Sequence, residues 1–172
     1  MVIFMYYFNT FLIYSILGYL LETIRSFFVN SKFTSGILYG PWTPIYGIGI
    51  VLIVLISNYL FLHLHLSRWL ETLITFFLIT IILTILEWLG GILIEKIFHV
   101  VFWDYSKEAF SIGKYISLSK SFIWGIGSIL FIYVLKPLLD NFIKHVPFFI
   151  TVILFLVMIS DLLVTIVNKT KI

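Results

Sequence analysis

The sequence contains no cysteine and no glutamine, and its one alanine is Ala109. Without cysteine there is neither a disulfide framework nor thiolate chemistry. Charge is also scarce: 11% of the 172 residues are charged, against about 25% in an average soluble domain. Apolar residues make up 62%, and mean hydropathy is +1.15. These figures exclude a soluble enzyme, a disordered chain and a disulfide-stapled secreted domain. A polytopic membrane protein remains. The net charge of +3 does not point to a nucleic-acid partner, because the basic residues sit between hydrophobic runs and set topology instead. The longest polar stretch, about residues 96–120, is too short for a soluble domain.

A helix needs about 20 apolar residues to cross a bilayer. Five stretches qualify, at about 3–28, 44–62, 69–94, 121–139 and 147–167. The expected fold is all-α: one transmembrane domain over 1–172, a helix bundle of about five spans, with a Gly/Pro-rich broken or re-entrant segment and a loop at about 95–120. The first span reads as a retained anchor, since it lacks a basic start and a small-residue cleavage site. Arg25, Lys32, Lys96, Lys107, Lys114, Lys120, Lys169 and Lys171 fall on one side, and Arg68, Lys136 and Lys144 on the other. The positive-inside rule then puts the N-terminus outside and the C-terminus in the cytoplasm. So small a bundle, solvated by membrane lipid, is expected to form a homo-oligomer or to take a partner subunit.

Three segments break the pattern of a plain apolar helix. Residues 36–49 carry Gly36, Gly40, Pro41, Pro44, Gly47 and Gly49 in an otherwise apolar run. Proline removes a backbone donor and glycine loosens the chain, so this stretch cannot be a lipid-facing helix. It is either a structured interfacial loop leading into the second span, or a pocket-lining element of the kind found at transporter sites. Tyr39, Trp42 and Tyr46 are its candidate binding side chains. In the third span Glu87 lies deep among Ile and Leu. A carboxylate there costs about 2.5–3.5 kcal/mol on insertion scales, so it should face inward toward a partner. Glu87, Gly91 and Glu95 share one face, and His99 extends it if the helix continues. In the first span Glu22 either pairs with Arg25 three residues on or points inward to a substrate, an ion or a second carboxylate.

The loop after the third span is aromatic and of mixed charge. Trp103 and Tyr105 suit an interfacial belt. Asp104 between them caps a turn or binds a ligand. Glu95, His99 and Asp104 are a weak metal set, because no second His or Cys supplies a recognised spacing; no metal or cofactor is expected. No phosphate-cradling Gly-rich loop and no His-Glu-x-x-His motif occurs, so the chain is neither an ATPase nor a zincin. A Gly-x-Ser-x-Gly elbow is absent too. Gly125 and Gly127, after Trp124, read as close-packing positions. No catalytic residue is assigned.

The segment Gly36-Ile37-Leu38-Tyr39-Gly40-Pro41-Trp42-Thr43-Pro44-Ile45-Tyr46-Gly47 resembles the signature G-f-L-x-G-P-x-x-P-I-Y-G. Leu86 to Phe98 resembles L-E-x-x-x-G-x-x-x-E-K-x-F, Trp103 to Ser106 matches W-D-Y-S, Ser121 to Gly125 matches S-x-x-W-G, and Gly18 to Glu22 resembles G-W-x-x-E. These marks, in order over about residues 11–140, are those of the CmpB-like family of type IV ABC-transporter permeases. The resemblance implies a bacterial cell-membrane transport component and a separate ATPase subunit docking on the cytoplasmic side. The family pattern falls on Glu22, Gly40, Pro41, Pro44, Tyr46, Gly47, Glu87, Gly91, Glu95, Asp104 and Trp124. Ser35 and Lys114 stand where the family usually has Arg, and Ser111 where it has Asn. A membrane enzyme, a scaffold and the substrate-capture subunit of a vitamin transporter are the competing readings.

Overall fold

The computed structural model describes residues 2–30 and 36–169. Lys32, Ser35 and Lys171 lie outside the described residues. The elements are α1 (Val2–Asn30), α2 (Pro44–His63), α3 (Arg68–Phe98), β1 (Ser111–Ile112), β2 (Ile116–Ser117), α4 (Leu118–Leu130), a π-helical turn (Phe131–Leu135), α5 (Lys136–Lys144) and α6 (Phe148–Lys169). Five helices are long and apolar enough to cross a membrane: Ile3–Val29, Pro44–His63, Arg68–Phe98, Leu118–Lys144 and Phe148–Lys169. The third runs one turn past its sequence-derived end and takes in Glu95. It stops at Phe98, where His99 turns left-handed (φ 54°) and returns its N–H to the Glu95 carbonyl. His99 therefore closes the helix and does not extend the Glu87 face.

Polarity is arranged for lipid. Large apolar side chains such as Phe4, Phe28, Leu62, Phe77, Ile81 and Phe149 point outward, while Asn9, Thr10, Ser15, Thr75, Glu87, Ser121, Ser128, Thr151 and Thr165 are buried. Apolar side chains gain nothing by turning away from lipid, so small and polar groups take the helix seams.

The chain divides into two compact units, 1–51 with 140–172, and 52–139. In the first, Leu12, Trp42 and Met158 form a core with Phe8, Phe11, Leu38, Leu154 and Phe155 around it. Asn9 ties the α5–α6 corner to α1: its amide nitrogen donates to the Ile143 carbonyl at 3.0 Å, and its oxygen accepts from Thr151. In the second, α3 lies beside α4 with Thr75, Ile79, Leu83, Glu87 and Gly91 buried at four-residue intervals. Gly125 of α4 admits Thr80 and Phe76 of α3, where a Cβ would overlap them. Gly127 faces open space and takes no part in this packing. The π-helical turn precedes Pro137. The Lys136 amide bonds back five residues to Phe131, which shifts the register just ahead of the residue that cannot donate.

Candidate functional site

In the first unit residues 36–43 of the Gly/Pro segment are non-helical and held in place, whereas 44–49 form the opening turns of α2. Gly36 adopts φ 87°, which favours glycine. Asp161 of α6 accepts from two successive backbone amides, Tyr39 at 3.1 Å and Gly40 at 2.8 Å. Thr165, one turn on, also donates to Asp161 at 3.2 Å. Lys169, a further turn on, donates to the Ile37 carbonyl at 2.6 Å and lies 5.3 Å from the Tyr39 ring centre. On the other side the Thr43 amide donates to the Ser15 carbonyl of α1 at 2.9 Å. The segment thus satisfies part of its backbone through neighbouring helices. Trp42 is buried against α1 and α6, whereas Tyr39 is exposed. Pro41 lies between Gly40 and Trp42, and Pro44 opens α2 at the first helical position, where its missing donor costs nothing. Gly47 lets α2 approach the Phe11 carbonyl and Ser15 Oγ of α1.

Glu22 pairs with Arg25, and its other oxygen meets a tyrosine. Arg25 donates to one oxygen at 3.1 Å, and the Tyr46 hydroxyl donates to the other. The Tyr46 ring crosses α1 over Gly18, where a Cβ would overlap it. The same device recurs in the second unit: the Tyr115 ring lies over Gly91 and its hydroxyl donates to Glu95. In each case glycine and glutamate are four residues apart, so the glycine opens the path by which the ring reaches the carboxylate.

Glu87 is 5% exposed. Its Oε1 accepts from the Tyr105 hydroxyl at 2.8 Å, and the Trp124 indole also acts on this carboxylate as a donor. A buried carboxylate is thus partnered by neutral donors. Lys120 instead bonds Glu108 at 2.9 Å and lies 5.5 Å from the Tyr105 ring centre. Glu95 also accepts from Lys114 at 2.9 Å. That carboxylate holds the Lys114 ammonium above its usual value.

Asp104 is exposed and accepts from the Ser106 amide at 2.8 Å, an Asx turn. Hydrogen bonds from the Ser106 side chain first, and then from its amide, hold the Asp104 carboxyl below the usual range. Trp103 stacks edge-on to Tyr115 at 6.2 Å. Glu95, His99 and Asp104 each have separate local roles, and among the described residues no group of three acidic, His or Cys side chains could hold a metal.

Strands β1 and β2 pair antiparallel as a hairpin, anchored by Glu108, which accepts from Lys120, Ser117 at 2.8 Å and Ser119 at 2.9 Å. Lys120 first, and then the serines, hold its carboxyl below the usual range. A carboxyl lowered on folding stabilises the fold above its unfolded value, and that stability is lost as pH falls through the lowered folded value. Deuterium uptake by peptides covering 105–118 should therefore rise, relative to intrinsic exchange, on acidification through the carboxylate range. Glu108→Gln should show high uptake already at neutral pH.

Sequence reasoning missed Asp161 as an anchor of the Gly/Pro segment. The available signal was the polar stripe Asp161, Thr165 and Lys169, at i, i+4 and i+8 on an otherwise apolar span. It also missed that tyrosines supply the partners of Glu22, Glu87, Glu95 and, through Tyr6, Asp140.

No curated protein and no solved structure matches the chain. A family model described as "Putative ABC-transporter type IV" matches residues 9–166, nearly the whole length. The inward carboxylates, the anchored Gly/Pro segment and the W-D-Y-S turn all fall within that match, and the chain belongs to this ABC-transporter type IV family, CmpB.

Proposed function

We propose that the chain is the membrane-embedded permease subunit of an ABC-type transport system in a bacterial cell membrane, energised by a separate ATPase subunit. The observation that supports this most is the anchored segment 36–43. Non-helical backbone among spanning helices, bonded to a carboxylate of α6 and a carbonyl of α1, has the character of the interrupted segments that form transporter sites. Glu22 with Tyr46 and Tyr39 in the first unit, and Glu87 with Tyr105 in the second, are the substrate-handling groups. Carboxylates held by neutral hydroxyls suit a cationic or protonatable substrate. Trp42, Glu95 and Asp104 serve packing and turn geometry. The C-terminus and the 99–117 loop are on the cytoplasmic side of the membrane, the side on which the ATPase docks, and the N-terminus is outside.

The test is purification of the tagged protein from its native membranes in gentle detergent, followed by mass spectrometry. A stoichiometric ATPase is the expected result. A homo-oligomer without one overturns the ABC reading. In the isolated complex, Glu87→Gln should abolish substrate-stimulated ATP hydrolysis while leaving assembly intact. Unchanged stimulation would remove Glu87 from the substrate path.

A further inference from the structure

The segment between α3 and α4 does not project away from the spans. Tyr105 reaches back to Glu87, eleven residues before the end of α3, a distance of about 16 Å at 1.5 Å per residue. Tyr115 lies over Gly91 and bonds Glu95. The hairpin is thus folded against the last three turns of α3, a helix that also carries outward-facing Leu89, Ile92 and Leu93.

Its outer surface carries several large apolar side chains alongside exposed Asp104, Ser106, Lys107 and Lys114. Phe110 is 79% and Ile112 71% exposed, with Phe102, Val100, Val101 and Leu118 also turned out. Phe110 sits at φ 57°, a conformation that bulky residues adopt only under constraint. The backbone is therefore strained at the residue that presents an aromatic ring outward. Gly113, at φ 66°, makes the turn between β1 and β2 without such strain. Lys107, three residues before Phe110, is exposed as well.

We propose that the 99–117 hairpin is an interfacial membrane anchor. Phe110 and Ile112 sit in the boundary between headgroups and acyl chains, and Lys107 lies at the level of anionic headgroups. Aromatic and aliphatic groups next to lysine are the composition that binds this layer. The fold-back along a spanning helix puts the hairpin within reach of lipid. This inference does not depend on the transport reading, since it concerns only where the hairpin rests.

The cysteine-free sequence makes the test direct. Single variants Phe110→Cys, Ile112→Cys and Lys107→Cys, all at exposed positions, are spin-labelled and reconstituted in vesicles of phosphatidylcholine with phosphatidylglycerol. Collision with oxygen, which partitions into lipid, is compared with collision with a water-soluble nickel chelate. At 110 and 112 oxygen should dominate; at 107 the nickel chelate should. Nickel access at 110 and 112 equal to that at 107 would mean a water-exposed hairpin and overturn the proposal. Exclusion of both reagents at 110 and 112 would mean that protein covers the surface, a second copy in this preparation, and would overturn it too.

Discussion

Asp161→Ala is expected to release the 36–43 segment. The carboxylate accepts from the Tyr39 and Gly40 amides and from Thr165. Alanine leaves those donors without their acceptor. Hydrogen bonds to a charged group contribute about 1.5–3 kcal/mol each, and with one of the amides near the surface the expected loss is about 2–4 kcal/mol. Asp161→Asn keeps one acceptor oxygen and should lose about half as much. Thermal unfolding in detergent reads the loss, and deuterium uptake over residues 36–43 shows its place. Equal uptake in wild type and Asp161→Ala would mean that packing of Trp42, not the carboxylate, holds the segment. Pull-down of an ATPase by a folded Asp161→Asn variant would separate a role in conduction from one in assembly.

The second large effect is expected at Gly47, which sits where α2 comes closest to the Phe11 carbonyl and Ser15 Oγ of α1. A single methyl group there meets backbone, which cannot swing aside as a side chain can. Overpacking of this kind costs about 1–3 kcal/mol and occasionally more, and Gly47→Ala belongs at the upper end. Gly127→Ala is the matched control. Its Cβ would meet nothing within 4 Å, so the gain in helix propensity of about 1 kcal/mol should leave the protein as stable or more so. Unfolding temperatures measured side by side decide this. Equal shifts for the two variants would show that glycine content, not the helix crossing, sets the response.

The spans were legible because hydrophobic run length is a local property. The five stretches read from composition match the five helices within a few residues, apart from longer ends at α3 and the fourth span. The oddity of residues 36–49 and the inward turn of Glu87 were legible for the same reason: Gly/Pro density and a lone carboxylate among Ile and Leu are visible in a short window. What holds them was not. Asp161 lies 121 residues from Gly40, and Tyr105 lies beyond the end of the helix that carries Glu87. No period in the sequence encodes such pairings. Gly125 and Gly127 show the limit at close range. Two residues apart on one helix, they face different ways, and only Gly125 meets another helix. The π-helical turn had a visible trigger in Pro137, but whether a helix kinks, widens or stops before a proline is decided by its neighbours.

The tyrosine–carboxylate pairs bear on how the chain is made. Glu22 is synthesised before Tyr46, Glu87 before Tyr105 and Glu95 before Tyr115. As α3 leaves the translocon, Glu87 has no Tyr105 to meet, and the apolar residues around it must carry it into the bilayer alone. Its partner arrives only once the hairpin has emerged and folded back. Because that partner is a neutral phenol, it adds no positive charge to the inserting chain, and the lysines at the span ends are left to set orientation. Insertion and folding are thus separate events for this helix: lipid accepts it first, and the bond that completes its inner face forms afterwards.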